Sequence, residues 1–212
     1  MVEEFFREDI VFEVDPNTII GHVPDIISID NRKVKPKYFF VVNEDWDLDS
    51  NVLNQYPTYI EMEDLIHSGY EYEKSNTHRE LIERLENEDP KQHRGGFIDS
   101  RRKIDEYCNR YLSIYMDMLE NGYVRERLSG EMDAEIGVAV GRDGRILHFR
   151  KGHHRLALAK LAALPSVVVS VRFVHPLWLR RCVERHGMSL VTAIRKGIDD
   201  LHQTPPTPAS IS

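Results

Sequence analysis

The chain has 212 residues, with 28 Lys and Arg against 35 Asp and Glu, for a formal net charge of −7. That balance argues against nucleic acid as a partner, because duplex DNA normally demands a basic face. Two cysteines, Cys108 and Cys182, form no disulfide framework, and no apolar run is long enough to span a membrane. With an acidic start, Met1 to Phe6, that carries no signal-peptide pattern, a cytoplasmic protein is expected. In chain order, residues 9–14 and 37–42 read as strands through aromatic and β-branched enrichment. Asn43 to Asp49 is an acidic turn region. The spacing over 58–67 and 77–87 predicts short amphipathic helices, the second with Leu81, Ile82 and Leu85 on one face. His93-Arg94-Gly95-Gly96 interrupts the pattern and reads as a loop. From Ser100 to Asn121 the positions of Ile104, Tyr107, Cys108, Tyr111, Leu112, Tyr115, Met118 and Leu119 predict one long helix, stopped by Gly122.

The next stretch carries the strongest signal. Ile136-Gly137-Val138-Ala139-Val140 and 145–149 read as strands about the turn Gly141-Arg142-Asp143-Gly144, whose composition suits a hairpin. Lys151-Gly152-His153-His154-Arg155 then opens an Ala-rich helix, followed by the β-branched run Val167 to Val171. A glycine before a helix permits close approach of a ligand, and the first helical N–H groups point outward beside the positive end of the dipole. Gly152, His153, His154, Arg155 and Lys151 are therefore a candidate phosphate-binding turn. Arg172, with His175 and Trp178, follows the last strand and is a candidate clamp on phosphate or base. Glu135, just before its strand, and His154 are the candidate catalytic groups. His153 and His154 are adjacent rather than one helical turn apart, so no protein metal site is expected. The Asp45-Trp46-Asp47 and His93-Arg94-Gly95-Gly96 segments are candidate walls for an acceptor. Helices are expected from Leu177 to Gly187 and from Ser189 to Asp200, and the Pro/Ser/Thr-rich 204–212 reads as a disordered tail.

Strand, turn, strand, Gly-His-His-Arg, helix and Val-rich strand together resemble the core of the ParB/sulfiredoxin superfamily over Glu135 to Val174. A weaker likeness covers Asp15-Pro16-Asn17-Thr18-Ile19 and the helix ending at Asn121-Gly122-Tyr123. The resemblance implies an α+β fold: a small mixed sheet with packed helices and a helical insertion. One domain over 1–203 is expected, its core at about 9–42 and 100–178 and its insertion at about 43–99. It also implies a nucleotide-binding protein that takes ATP or CTP with Mg2+ carried by the nucleotide. The branch it resembles most is the free-serine kinases, a phosphotransferase acting on a small-molecule hydroxyl. Lys151 stands where those kinases have an acidic residue, which leaves open a nucleotidase, a non-catalytic nucleotide sensor or a DNA-associated CTPase or nuclease module. A sulfiredoxin-type reductase needs a cysteine where His153 stands. Within that resemblance, Arg155→Ala is expected to abolish nucleotide binding and leave the fold intact.

Overall fold

The computed structural model describes residues 10–29, 32–48, 51–93, 95–124, 135–187 and 189–203. The β-branched run forms the longest strand, β10 (Val167–Val174), because Val stiffens at χ1 and packs well on a pleated surface. It lies between β1 (Val11–Val14), antiparallel, and β8 (Ile136–Val140), parallel. β9 (Ile146–His148) pairs antiparallel with β8 through the Gly141–Gly144 hairpin, as its composition predicts. The sheet continues through β2 (Gly21–His22), parallel to β9, to β5 (Asn51–Val52) at the far edge. The six-stranded order is β1-β10-β8-β9-β2-β5. Parallel strands require a crossover, and α4 (His153–Leu161) supplies the one from the β8–β9 hairpin to β10.

Alternation along the strands gives the sheet two buried faces. Ile136, Val138, Val140, Ile146, Val169 and Val171 face the main core with Leu156 and Leu158 of α4. Ala139, Leu147 and Phe173 face a smaller core with Val23, Val42 and Trp46. The main face is covered by α1 (Pro57–Ser68), α2 (Asn76–Glu86) and α3 (Arg101–Asn121) as well as by α4. Ser100 caps α3 by accepting from Lys103 N, and Gly122 (φ 73) ends it as expected. α5 (Pro176–His186) and α6 (Leu190–Gln203) pack on each other, Gly197 sitting against Cys182 and Trp178. The fold is thus the expected α+β arrangement of a mixed sheet with packed helices.

Two local expectations change. Residues 37–42 make no strand: Pro36 fixes its own φ and starts the 3-10 turn Pro36–Tyr38, leaving Val41 a single bridge to Val174. His93 and Gly96, expected in a loop, pair with each other in a short antiparallel hairpin of β6 (Lys91–His93) and β7 (Gly96–Ile98). The 57–86 helices are part of the main core, since Met62 and Leu65 are fully buried in it, each contributing roughly 1.5–3 kcal/mol. A second small hairpin joins β3 (Ile27–Ile29) to β4 (Arg32–Val34). The 204–212 tail, residue 9 of the first strand, Arg94 and the Met1–Phe6 start lie outside the described residues. No helix among the described residues is long and apolar enough to cross a membrane.

Candidate functional site

Between β9 and α4 the chain makes an unusual turn. Lys151 N donates to Phe149 O at 2.9 Å, closing a three-residue ring around Arg150, whose φ is 62°. A γ-turn of this positive-φ kind is rare and strained, and such strain collects at functional sites. Gly137 on β8 makes it possible. Its N–H donates to Lys151 O at 3.0 Å and its carbonyl accepts from Phe149 N at 2.8 Å. A Cβ on Gly137 would lie 2.4 Å from Phe149 O, so only glycine lets the turn lie this close. Gly152 follows at φ 86° as the N-cap of α4, with no side-chain cap bond, and a Cβ there would sit 3.0 Å from Ile136 Cγ1. Two glycines therefore hold Arg150 and Lys151 rigidly at the mouth of a helix.

The residues of the Gly-His-His-Arg turn point in three directions. Lys151 and Arg172 line a cavity of about 310 Å³ together with Lys37, Phe149 and Arg150. His153 turns to the opposite side, against His22 and His148. His154 turns to α3, stacking on Tyr111 at 4.4 Å, and its Nε2–H donates to the Tyr107 hydroxyl at 3.2 Å. That hydroxyl has already donated to Glu61 Oε1 at 2.8 Å, and Lys91 binds the same carboxylate. Arg155 is buried and hydrogen-bonds Tyr123 at the end of α3, where the Glu135 charge also acts. Burial pushes the Tyr123 hydroxyl up to about 12 against the opposing pull of Arg155. Glu135, Arg155 and His154 line neither this cavity nor the one described next. His154 packs on the long helix, and Arg155 ties α4 to Tyr123 just beyond that helix's end.

A second cavity, about 410 Å³, is lined by His22, Pro24, Asp25, Asn51, Tyr56, Arg150 and His153. Arg150 borders both cavities, and its Nε lies 3.7 Å from Asp25 Oδ1. At the floor of this second cavity three imidazoles converge. The β2–β9 register sets His22 opposite His148, with their Nδ1 atoms 3.0 Å apart, and His153 joins them from the first turn of α4. His148 Nε2–H donates to Lys151 O at 3.0 Å, so its Nδ1 is a lone pair that accepts from His22. His153 hydrogen-bonds the Arg150 carbonyl, and its buried Nε2 makes no hydrogen bond. The sequence pattern gave no sign of this cluster, because its members stand at positions 22, 148 and 153 and meet only through strand pairing.

Desolvation lowers the pKa of all three rings, and the mutual repulsion of their charged forms adds to it at His148 and His153. His148 falls well below 6.5 and His153 to about 4. The unfolded chain therefore takes up protons that the folded one refuses, and stability falls as pH drops below about 6.5. For His153 alone the loss approaches about 3 kcal/mol by pH 4, at about 1.36 kcal/mol per unit. Melts of chelator-treated protein should show a falling Tm between pH 7 and 5, above the main carboxylate range. A flat Tm over that interval would mean that the rings are charged or exposed.

Other singled-out residues have structural duties. His175 accepts from Leu177 N at 3.1 Å as the N-cap of α5, and its Nε2–H donates to Glu44 O at 3.0 Å. Trp178 is buried in the main core. Trp46 packs edge-on against Phe173, and Asp47 is wholly buried under Arg142, so that acidic segment is a clamp. Asp143 caps its own hairpin by accepting from Arg145 N at 3.0 Å. Burial pushes the Cys108 thiol up to about 12, which makes it unreactive. Glu131 and Asp133, the acidic neighbours that precede Glu135 in the sequence, lie outside the described residues. Compared with protein-family models, curated proteins and solved structures, the chain matches none.

Proposed function

We propose that this chain is a nucleotide-dependent phosphotransferase that holds the polyphosphate of ATP or CTP at the 150–152 turn, in keeping with the ParB/sulfiredoxin-like motif it carries. One observation supports the reading above the others. In a chain of net charge −7, Lys37, Arg150, Lys151 and Arg172 surround one cavity at the mouth of a glycine-capped helix, and no carboxylate among the described residues lines it. Guanidinium forks, an ammonium point charge and helix N–H groups suit phosphate oxygens. Phosphoryl transfer relies chiefly on positioning and charge neutralisation, so little more is needed on this side. Mg2+ would arrive with the nucleotide.

The neighbouring cavity is the natural place for a small hydroxyl acceptor, with Asn51 and Tyr56 as hydrogen-bonding walls and Asp25 to receive the proton. Arg150 stands between donor and acceptor, where charge builds up during transfer. In this reading the proton acceptor is Asp25; Glu135 and His154 are positioning residues that brace α4 from the α3 side. Lys151, whose ammonium holds no metal as a carboxylate would, favours as second reading a sensor that binds nucleotide without turnover.

Calorimetric titration with ATP, CTP and inorganic triphosphate, with and without Mg2+, tests the assignment. Lys151→Ala should weaken triphosphate binding roughly 10–100-fold, the equivalent of one charge-assisted contact. Arg150→Gly should do the same while melting no lower than the parent, because glycine relieves the positive-φ strain. Unchanged affinity in both variants would remove the phosphate site from this turn. Tight binding with no phosphoryl loss across a panel of small alcohols would select the sensor.

A further inference from the structure

We propose that His22, His148 and His153 form a three-imidazole site for a transition metal ion of the zinc class, with a fourth position open to the cavity lined by Asp25, Asn51 and Tyr56. The donors come from three separate elements, β2, β9 and the first turn of α4, and one ligand atom from each lies within 4.8 Å of the others. Ligands 2.0–2.1 Å from a tetrahedral ion stand about 3.4 Å apart, so the donors need draw together by no more than about 1.4 Å to close the set. The rings also lie close, with His148 and His153 centroids 4.2 Å apart and His22 and His153 5.0 Å.

The outer hydrogen bonds are those that imidazole ligation requires. Metal-bound histidines almost always donate their other ring N–H to a carbonyl, a carboxylate or water, which fixes the tautomer. His148 gives its Nε2–H to Lys151 O, and His153 gives its Nδ1–H to Arg150 O. Both carbonyls belong to the strained turn, so the same backbone that presents Arg150 and Lys151 outward orients two rings inward. This leaves His148 Nδ1 and the buried, unbonded His153 Nε2 as lone pairs. His22 contributes Nδ1 once its proton shifts to Nε2, with no net proton released. Three neutral imidazoles suit Zn, Co, Ni or Cu, and poorly suit Mg2+, so this ion is distinct from any carried by a nucleotide. Three protein ligands and an open fourth position is the pattern of catalytic zinc, which lowers the pKa of its water to about 7. The fourth ligand here would be water or an anionic oxygen of a compound in the cavity, drawn by Arg150.

The test uses the full chain, stripped with chelator and titrated with Co2+ and Zn2+. One Co2+ per chain with the intense visible bands of a four-coordinate site is expected. X-ray absorption of the zinc-loaded parent should show three imidazole nitrogens at about 2.0–2.1 Å. His22→Ala and His153→Ala should each lose more than about 100-fold in affinity, since even outer partners of such sites are worth 10–100-fold. His67→Ala, exposed on α1, should bind as the parent. Circular dichroism without metal reports whether each variant folds; if one does not, the absorption spectrum of the parent decides alone. Binding below one ion per chain, fewer than three imidazoles, or unchanged affinity in folded variants overturns the site. Phosphate affinity plays no part in these readouts, so this proposal and the nucleotide reading fail separately.

Discussion

Alanine at position 137 is expected to cost about 3 kcal/mol or more of stability, the upper end of overpacking penalties. The atom that the new methyl would meet at 2.4 Å is the Phe149 carbonyl oxygen, a main-chain group whose residue is tied to β8 by the 2.8 Å hydrogen bond from Phe149 N to the Gly137 carbonyl. No side chain can swing aside to make room. Either the β8–β9 ladder opens at this end or the turn at Arg150 shifts outward, and both uncouple the strands from α4. For a domain whose total stability is about 5–15 kcal/mol, that is a large fraction. Urea unfolding checks it, with Gly96→Ala as the comparison, since a Cβ there meets nothing nearer than His93 O at 3.8 Å. A Gly137→Ala midpoint close to the parent's would mean that the turn is not held against β8 as described.

The second large effect is expected at Asp47. Its carboxylate is wholly buried and accepts from the Arg142 backbone N at 2.7 Å, from Nε at 3.0 Å and from Nη2 at 2.9 Å. Asp47→Ala leaves a guanidinium and an amide N–H without their main acceptor. Breaking a buried pair costs about 3–5 kcal/mol, and the lower end applies because the Arg142 side chain is 26% exposed and also reaches Asp45. The pH dependence carries a definite sign. Burial alone would raise the Asp47 pKa, but the hydrogen bonds and charge of Arg142, with a smaller pull from His175, outweigh it and leave the carboxyl below its usual range. A depressed carboxylate contributes its stabilisation above the unfolded value near 3.9 and loses it as pH falls through the folded value. The gap in Tm between parent and Asp47→Ala should therefore be constant from pH 5 to 7 and narrow below pH 4. A gap that widens in acid would contradict the assigned charge state.

Where periodicity and caps governed, the sequence was legible. Ser100 and Gly122 bracket the long helix, and the Gly141–Gly144 hairpin and the Val-rich strand stand where their composition puts them. Residues 37–42 misled because aromatic enrichment outweighed Pro36, whose missing N–H and fixed φ favour a turn. At the site, the helix start after a glycine was legible. Gly152 is the N-cap of α4 at positive φ, and Lys151 and Arg172 line one cavity. The role of each neighbouring side chain was not legible, because successive residues at a helix start project about 100° apart. His153 and His154 therefore face different partners, and Arg155 turns into the interior. Gly137 signalled nothing by itself, since its need for a bare Cα depends on a turn twelve residues further on.

The pairing of β2 with β9 also has a kinetic side. His22 and His148 are 126 residues apart along the chain, yet the two-residue strand carrying the first joins the rest of the sheet through the strand carrying the second. Contacts of such long sequence separation slow folding, since the closure entropy must be overcome before they form. The β8–β9 hairpin and α4, all within residues 136–161, are local and can form early. The imidazole cluster must wait for the amino-terminal strand to return across most of the chain. During synthesis at about 5–20 residues per second, His22 leaves the ribosome many seconds before its partners exist. The cluster is thus a late joint: it closes only on a chain that has already assembled both ends of its sheet.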